Sequence, residues 1–517
     1  MGKYIKIYFW QAISIVFNFS AVFVVTPYIS SNRALYGIYS IVIAAYFFIS
    51  YADFGFLSAG MKYASESYAK KNIEEEVEVI GFSGMVFLVF AVLYAFGVVL
   101  ISFNPLILVK GITDAHELKI ARQLLILLAF SCPVLVFQRI IQIIYGIRLQ
   151  DYVFQRVLII SNIVKLLSVF VFFYNGRYMI VEYFLFSQVC LLVAVITGLV
   201  MIKTSLKYDI VLLIKSFKLS RKLFDKTKKL AFTSIFLTIC WILYYEMDPF
   251  AIAKIFGAKQ VAVYAIGLTI ITYFRSLFGI LFTPFVARFN YFVGLNDKEG
   301  LQAFFLKVMA IFLPVTVFPI IAVFLTTQNF ILSWVGPGYT SSISVAQVLV
   351  LCYIFSFITY PSGILIMANE RVRALYFTSG LQPIIFWIGI SITYRYLGLH
   401  AFAYFKFLAF FLETVVYTVL ILRFLEISLF KLLKKIVVPA IIPVIFVVGL
   451  LLLVRKELPV SLGKVYLGYY FASIGGVVAL GVICYYFTSY VFKEYVNKLT
   501  VSIMPGRRLT ADKSLLS

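Results

Sequence analysis

The segment MIVEYFLFSQVCLLVAVITGLVMI, residues 179–202, runs directly into KTSLKYDIVLLIKSFKLSRKLFDKTKKL, residues 203–230. The first part carries a single charge, Glu182, and about 20 mostly apolar residues are what one helix needs to cross a bilayer. The second part is the longest polar stretch in the chain. Its apolar residues Ile210, Leu213, Ile214 and Phe217 recur at helical spacing with lysines between them, the pattern of a basic amphipathic helix on an inner membrane surface. A linker joining two halves of a larger bundle accounts for the same residues, and the two readings are compatible.

The rest of the chain repeats the first theme. Of 517 residues, 63% are hydrophobic and only 13% charged, with a mean hydropathy of +1.01. Soluble domains are about 45–50% apolar and about 25% charged, so a soluble enzyme and a disordered chain are both excluded. Fourteen apolar segments are expected, near 5–29, 37–60, 79–103, 122–146, 153–174, 179–202, 231–254, 261–286, 304–325, 342–367, 375–397, 401–425, 435–454 and 465–491. The first reads as a membrane helix and not a cleaved leader, since no small-residue cleavage site precedes Pro27.

Charge sets the expected orientation. With both ends inside, the inner segments collect roughly thirty basic residues against about eleven outside, as the positive-inside rule requires. Among them are the run Lys203 to Lys229 and the tail Lys493 to Lys513, whereas TTQNFILSWVGPGYTSS (326–342) is uncharged. The same rule accounts for the net charge of +23 without nucleic acid as a partner. The expected fold is therefore an all-α polytopic membrane protein with about fourteen spans. Its organisation is a six-helix bundle over 1–203, the basic linker 204–230, a second six-helix bundle over 231–430, two added helices over 431–492 and a tail over 493–517. The two bundles read as a parallel repeat. YGIYSIVIAAYFFISYADFGFLSAGMKY from Tyr36 and VAVYAIGLTIITYFRSLFGILFTPFVAR from Val261 align at an offset of about 225 residues, with Tyr39 on Tyr264, and parallel repeats of this kind form central sites at their interface.

Soluble chemistry is missing. There is no G-K-[ST] phosphate loop or G-x-S-x-G elbow. Only His116 and His400 could supply imidazole to a metal. The five cysteines lie in apolar runs without C-x-x-C spacing. No cofactor is expected. Charges inside spans are costly and so mark function. Arg275 lies about 21 Å into the eighth segment, on one face with Thr269 and Thr272. Lys165 shares a stripe with Ser161, Asn162 and Ser168, and Arg139 lies with Gln138 and Gln142 nearer an inner end. Arg33 and Arg288 fall at interfaces, where they act as substrate contacts or as solvated anchors. Gln11, Ser14 and Asn18 make an uncharged polar face on the first helix. The acids are Asp53, Glu182, Glu246, Asp248 and Glu413. A carboxylate in a low-dielectric site can bind a proton reversibly near neutral pH, as ion coupling requires; a static ion pair is the other reading. Together the cations suit an anionic headgroup, because Arg presents paired donors that match phosphate.

The stretch SNRALYGIYSI with Arg33, Gly37 and Tyr39, then ADFGFLSAGMKY with Asp53, Gly55, Gly60 and Lys62, resembles the opening of Wzx-type polysaccharide repeat-unit flippases. The second half is similar: Asp248, then AKIFGAKQVAVY with Lys254, Gly257 and Tyr264, then TPFVAR with Pro284 and Arg288. Pro249 stands where that family often has a basic residue. The resemblance implies the multidrug/oligosaccharidyl-lipid/polysaccharide exporter fold, with a cavity between two bundles. It implies an undecaprenyl-diphosphate-linked oligosaccharide as substrate, flipped across the bacterial cytoplasmic membrane by alternating access for O-antigen or capsule synthesis. A proton or sodium gradient would drive the cycle, membrane lipid would hold the tail, and a polysaccharide polymerase would be the downstream partner. The fourteen-helix layout is similar to lipid II flippases, whose last two helices form a groove for the lipid tail. The rivals are a lipid II flippase, a drug/cation antiporter of the same superfamily, and a membrane polymerase or ligase. Deep cations argue against the antiporter and the absence of a large loop against the polymerase. A facilitator-type sugar transporter is disfavoured because 59–79 lacks a G-x-x-x-D-R-x-G-R-like signature.

Overall fold

The computed structural model describes residues 2–49, 51, 55–112, 114–369, 372–458, 460 and 464–503, and the regular elements among them are helices. Helices are the natural result, because a backbone group in lipid must find its partner within its own segment. The chain forms two compact units, Met1–Ala265 and Ile266–Ser517. The first contains α1 (Gly2–Ile29), α2 (Arg33–Ile49), α3 (Phe56–Ala69), α4 (Ile73–Phe103), α5 (Ala115–Ile147), α6 (Asp151–Phe172), α7 (Ile180–Ser205), α8 (Ile210–Lys215), α9 (Arg221–Tyr245), α10 (Asp248–Phe256) and the start of α11 (Ala258–Phe282). The second contains the rest of α11, then α12 (Phe285–Gly294), α13 (Lys298–Trp334), α14 (Ser342–Leu351), α15 (Ser356–Ala368), α16 (Val372–Leu397), α17 (His400–Leu425), the short α18 (Leu429–Leu432), α19 (Val438–Glu457), α20 (Lys464–Thr488) and α21 (Tyr490–Ile503).

Among the described residues eleven helices are long and apolar enough to cross a membrane, and thirteen spans result if each of two sharply bent pairs counts once. The shorter apolar helix Arg33–Ile49 lies on the second expected segment. Large apolar side chains such as Phe130, Val171, Ile392 and Phe487 are more than two-thirds exposed, which only a hydrocarbon surround makes tolerable. This is a multi-pass membrane protein. In the first unit the core lies between α4 and α5, where Phe87, Val136, Ile140 and Ile144 are fully buried. Gly84 lets Ile140 approach so closely that a Cβ there would lie 2.8 Å from its Cδ1. Close approach of this kind favours van der Waals packing, the main attraction between helices in lipid.

One turn recurs along the backbone. α3 ends at Ala69 and α12 at Gly294; α4 starts at Ile73 and α13 at Lys298. Both pairs keep the offset of about 225 residues seen in sequence. In each copy the connecting turn contains a left-handed non-glycine residue, Lys71 (φ 60°) and Asn296 (φ 54°). An Asx cap follows in each, Asn72 accepting from the Glu75 N–H at 3.1 Å and Asp297 from the Gly300 N–H at 2.9 Å.

Two expectations change. The linker 204–230 is not one amphipathic helix on a membrane surface. α7 runs on to Ser205, α8 has six residues, and α9 begins at Arg221 behind a Ser220 cap. Part of its apolar side docks on protein: Leu213 is buried, Phe217 stacks on Phe137 at 6.2 Å, and a Cβ on Gly81 would meet the Ser216 carbonyl oxygen at 2.6 Å, while Ile214 stays exposed. Arg148 holds the same region. It pairs with the fully buried Glu76 at 2.7 Å and lies over the Tyr68 and Tyr208 rings at 4.7 and 5.1 Å. Burial raises the pKa of the Tyr208 hydroxyl; Glu76 adds to that shift and Arg148 opposes it. Second, the units divide after Ala265, later than the expected start of the second bundle at 231, because α9 packs on α3 and α10 on α2.

Candidate functional site

In the first unit, α1 and α6 are joined by a ladder of amides and hydroxyls. Gln155 donates to Ser14 at 2.6 Å, Asn162 donates to Asn18 at 2.9 Å, and Asn18 donates to Ser14 at 3.4 Å. Gln11, one turn before Ser14, is half-buried. Lys165 stands one turn beyond Asn162 and is half-buried beside Cys190. The expected polar stripe on α6 splits, because Ser161 turns to the Cys190 carbonyl at 3.1 Å on α7 whereas Asn162 faces α1. Ser168 bonds the Lys165 carbonyl of its own helix at 2.8 Å. Arg139, exposed on α5, bonds Gln142 at 3.3 Å and lies within electrostatic reach of Tyr46 on α2. Arg33 begins α2, half-buried.

The acids Glu246 and Asp248 sit at the join between α9 and α10. At one end of α2, a Cβ on Gly37 would lie 1.9 Å from the Ala258 carbonyl oxygen, next to the α10–α11 turn where Gly257 takes φ 86°. At the other end, the Tyr51 hydroxyl donates to the Glu246 carboxylate at 3.5 Å and accepts from the Trp241 indole N–H at 3.1 Å. Those ends are roughly 20 Å apart at 1.5 Å per residue. Glu246 therefore lies deep along α2, and α10 runs back beside it, its Lys254 donating to the Ile107 carbonyl at 3.0 Å. Both acids are buried, and Asp248 accepts from the Tyr264 hydroxyl at 2.6 Å. A helix broken at buried acids is a common setting for ion sites in transporters. Asp53 lies outside the described residues. Glu182 is exposed in the first turn of α7, where its charge suits the helix dipole.

In the second unit, polar groups from α11, α15, α16 and α17 converge. Tyr360 donates to the Arg275 carbonyl at 3.2 Å, stacks on Phe282 at 5.1 Å, and lies within electrostatic reach of both the Arg275 guanidinium and the Glu413 carboxylate. Buried Glu413 accepts from the Gln382 amide at 2.7 Å. Thr359 and Thr414 share a hydrogen bond at 2.9 Å, and Thr378 bonds Tyr417 at 3.4 Å. Thr272, one turn before Arg275, bonds the Leu268 carbonyl of its own helix at 2.7 Å. Lys406 is buried two turns before Glu413, over the Phe386 ring at 5.1 Å. Arg288 lies on α12 over Tyr291 and Phe292 at 4.9 and 4.7 Å. No group of metal-ligating side chains occurs among the described residues.

Sequence reading did not single out Gln382, Tyr360 or Gln155, and it marked Tyr264 only as a repeat and motif position. Gln382 is an amide inside an apolar span, a signal that was present; Tyr360 belongs to a set of 36 tyrosines that only packing can sort.

No family model and no curated protein sequence matches the chain. Solved structures do. An inward-facing multidrug resistance MATE transporter of the MOP superfamily matches with a TM-score of 0.65 at 13% identity, over 80% of this chain and 94% of that one. The lipid II flippase MurJ, in an inward closed conformation, matches with a TM-score of 0.66 at 14% identity, over 94% of this chain and 99% of that one. The chain has this fold. A MOP superfamily transporter from Pyrococcus furiosus Vc1, described as having a binding pocket of reverse polarity, matches at 0.56 and 10% identity over 82% and 96% of the two chains. These neighbours are transporters and a flippase, not enzymes.

Proposed function

We propose that the protein is a flippase. It carries undecaprenyl-diphosphate-linked oligosaccharide repeat units from the inner to the outer face of the bacterial cytoplasmic membrane, by ion-coupled alternating access, for surface polysaccharide synthesis. The observation that carries this reading is Arg275, placed within a span beside Tyr360 and the Glu413–Gln382 pair. A guanidinium in that setting offers paired donors to a diphosphate that would otherwise meet hydrocarbon. Lys165, Arg139, Gln11 and Asn18 are the substrate contacts proposed on the first unit, while Arg33 and Arg288 are end anchors. Glu413, Glu246, Asp248 and Asp53 take up the coupling proton or sodium ion, and a polymerase on the outer face consumes the product.

The test is surface polysaccharide in a strain carrying Arg275→Ala as its sole copy, with membrane protein levels matched. Export should fall at least about tenfold, the loss of one charge-assisted bond, and Arg275→Lys should restore part of it. Wild-type export from Arg275→Ala would overturn the assignment. A lipid II flippase is the second reading. It is favoured by a likeness to MurJ over 94% of the chain, against 80% for the MATE transporter; growth of a cell deprived of its lipid II flippase would decide for it.

A further inference from the structure

In the second unit, Gln382 on α16 and Glu413 on α17 meet inside spanning helices, and both are more than nine-tenths buried. The Gln382 Nε2 donates to the Glu413 Oε2 at 2.7 Å. The two helices pack tightly: a Cβ on Gly389, two turns further along α16, would lie 1.9 Å from Phe405 Cδ1. Among the described residues no ion pair reaches Glu413, and the charges around it stand off. Lys406, over the Phe386 ring, is two turns or roughly 10 Å earlier on α17. On α15 Tyr360 lies within electrostatic reach, with Arg275 of α11 beyond it. The charged residues of α13, Lys298, Glu299 and Lys307, fall in its first three turns. There Gln302 donates to the Leu425 carbonyl, roughly 18 Å along α17 from Glu413. α14 meets the other end of α17, where Ser344 bonds His400 at 2.7 Å, and Cys352, just after α14, lies beside Lys406. Arg373 and Arg395 are exposed near the two ends of α16. Tyr417, one turn after Glu413, accepts from Thr378 of α16.

A carboxamide carries donors and an acceptor on one flat group. Facing a carboxylate it offers an N–H. Turned over about its last torsion, it offers its carbonyl oxygen to a carboxyl O–H. The pair is therefore hydrogen-bonded whether the acid is charged or neutral, and neither state strands a buried polar group. A metal cation asks for more. Hard cations collect about six or more oxygens, whereas here an N–H occupies the approach to one carboxylate oxygen.

We propose that Glu413 and Gln382 form a reversible proton-binding pair, with Gln382 as the positioning residue, and that the ion taken at this site is a proton and not sodium. This deepens the ion-coupled reading above and rests on it for its role in transport. On uptake the proton adds to one carboxylate oxygen, the acid becomes neutral, and the Gln382 amide reverses to accept the new O–H. Release restores the N–H donor.

The experiment follows the carboxyl C=O stretch of the purified full-length protein in nanodiscs by infrared difference spectroscopy as pH falls, in sodium chloride and in potassium chloride. Wild type should show a titrating band with the same midpoint in both salts, and Glu413→Gln should lose it. Gln382→Met should raise the midpoint by about one pH unit, because the charged form loses the stronger bond. The swap of Glu413→Gln with Gln382→Glu should recover the band, which tells a lost site from a misfolded single variant. The proposal fails if Glu413→Gln keeps the band, if sodium lowers the midpoint as a competing ligand would, or if Gln382→Met does not move it. A folded swap variant without the band overturns it too. The readout needs no cargo. A band that behaves as expected, together with wild-type export from Arg275→Ala, keeps the proton site and overturns the Arg275 cargo assignment; the reverse pair of results removes the proton site alone.

Discussion

Gly37→Ala should destabilise this protein while Gly97→Ala, also a helix-interior change, should not. Alanine in place of helical glycine normally gains about 0.5–1 kcal/mol. At Gly97 a Cβ would meet nothing within 4 Å, so the gain should be kept. At Gly37 the added Cβ would lie 1.9 Å from the Ala258 carbonyl oxygen, 2.6 Å from its carbon and 3.1 Å from its Cα. All three are backbone atoms, so no side-chain rotation relieves the clash. α2 must move away from the α10–α11 turn by over about 1 Å to reach van der Waals distance, and overpacking of this kind costs about 1–3 kcal/mol. The net expectation is a loss of about 0.5–2 kcal/mol at Gly37, growing with side-chain size in Gly37→Ser and Gly37→Val. Thermal unfolding in detergent, followed by tryptophan fluorescence, reads the difference. If Gly37→Ala shifts the melting temperature in the same direction as Gly97→Ala, the close packing of α2 on that turn is not a feature of the native protein.

Three further outcomes are expected. Arg148→Met should cost about 3–5 kcal/mol by stranding the buried Glu76 carboxylate, and adding Glu76→Leu should recover much of it; a double variant no more stable than the single would contradict a paired role. Glu413→Gln should abolish ion-driven transport in proteoliposomes with normal folding, whereas Gln382→Ala should slow it; gradient-dependent flux in Glu413→Gln would remove this carboxylate from coupling. Asn18→Ala should weaken the α1–α6 ladder by about 0.6–1.7 kcal/mol, typical of hydrogen bonds between membrane helices. A double-mutant cycle with Asn162→Ala measures it, and additive effects would refute the direct bond.

The candidate sites were legible to different depths. Arg275, Lys165 and Glu413 stood out because a charge inside an apolar run is visible wherever the run is. Their partners did not stand out: the Glu413–Gln382 bond joins residues on two helices, and nothing in either helix's own pattern specifies which faces meet. Glu246 and Asp248 were visible as acids in an expected span, and Pro249, at the first turn of α10, carried the start signal for the break between α9 and α10 that the span reading ran through. The linker misled for a related reason. Its apolar stripe is real, but a stripe does not say what covers it: α4 and α5 meet Ser216 and Phe217, while Ile214 stays exposed.

Hydropathy and charge by themselves determined that this is a many-helix membrane protein, because insertion into a bilayer is a local test that each segment passes alone. The offset of about 225 residues survives from one-dimensional alignment to matched turns and caps, since those depend on neighbours a few residues away. Only the tertiary structure decided which polar groups share a surface: Arg275 with Tyr360 and Glu413, Asn18 with Asn162, Glu246 with Tyr51. Those pairings depend on the rotation of each helix about its own axis, which is set by the packing of many small contacts and leaves no periodic trace in the chain.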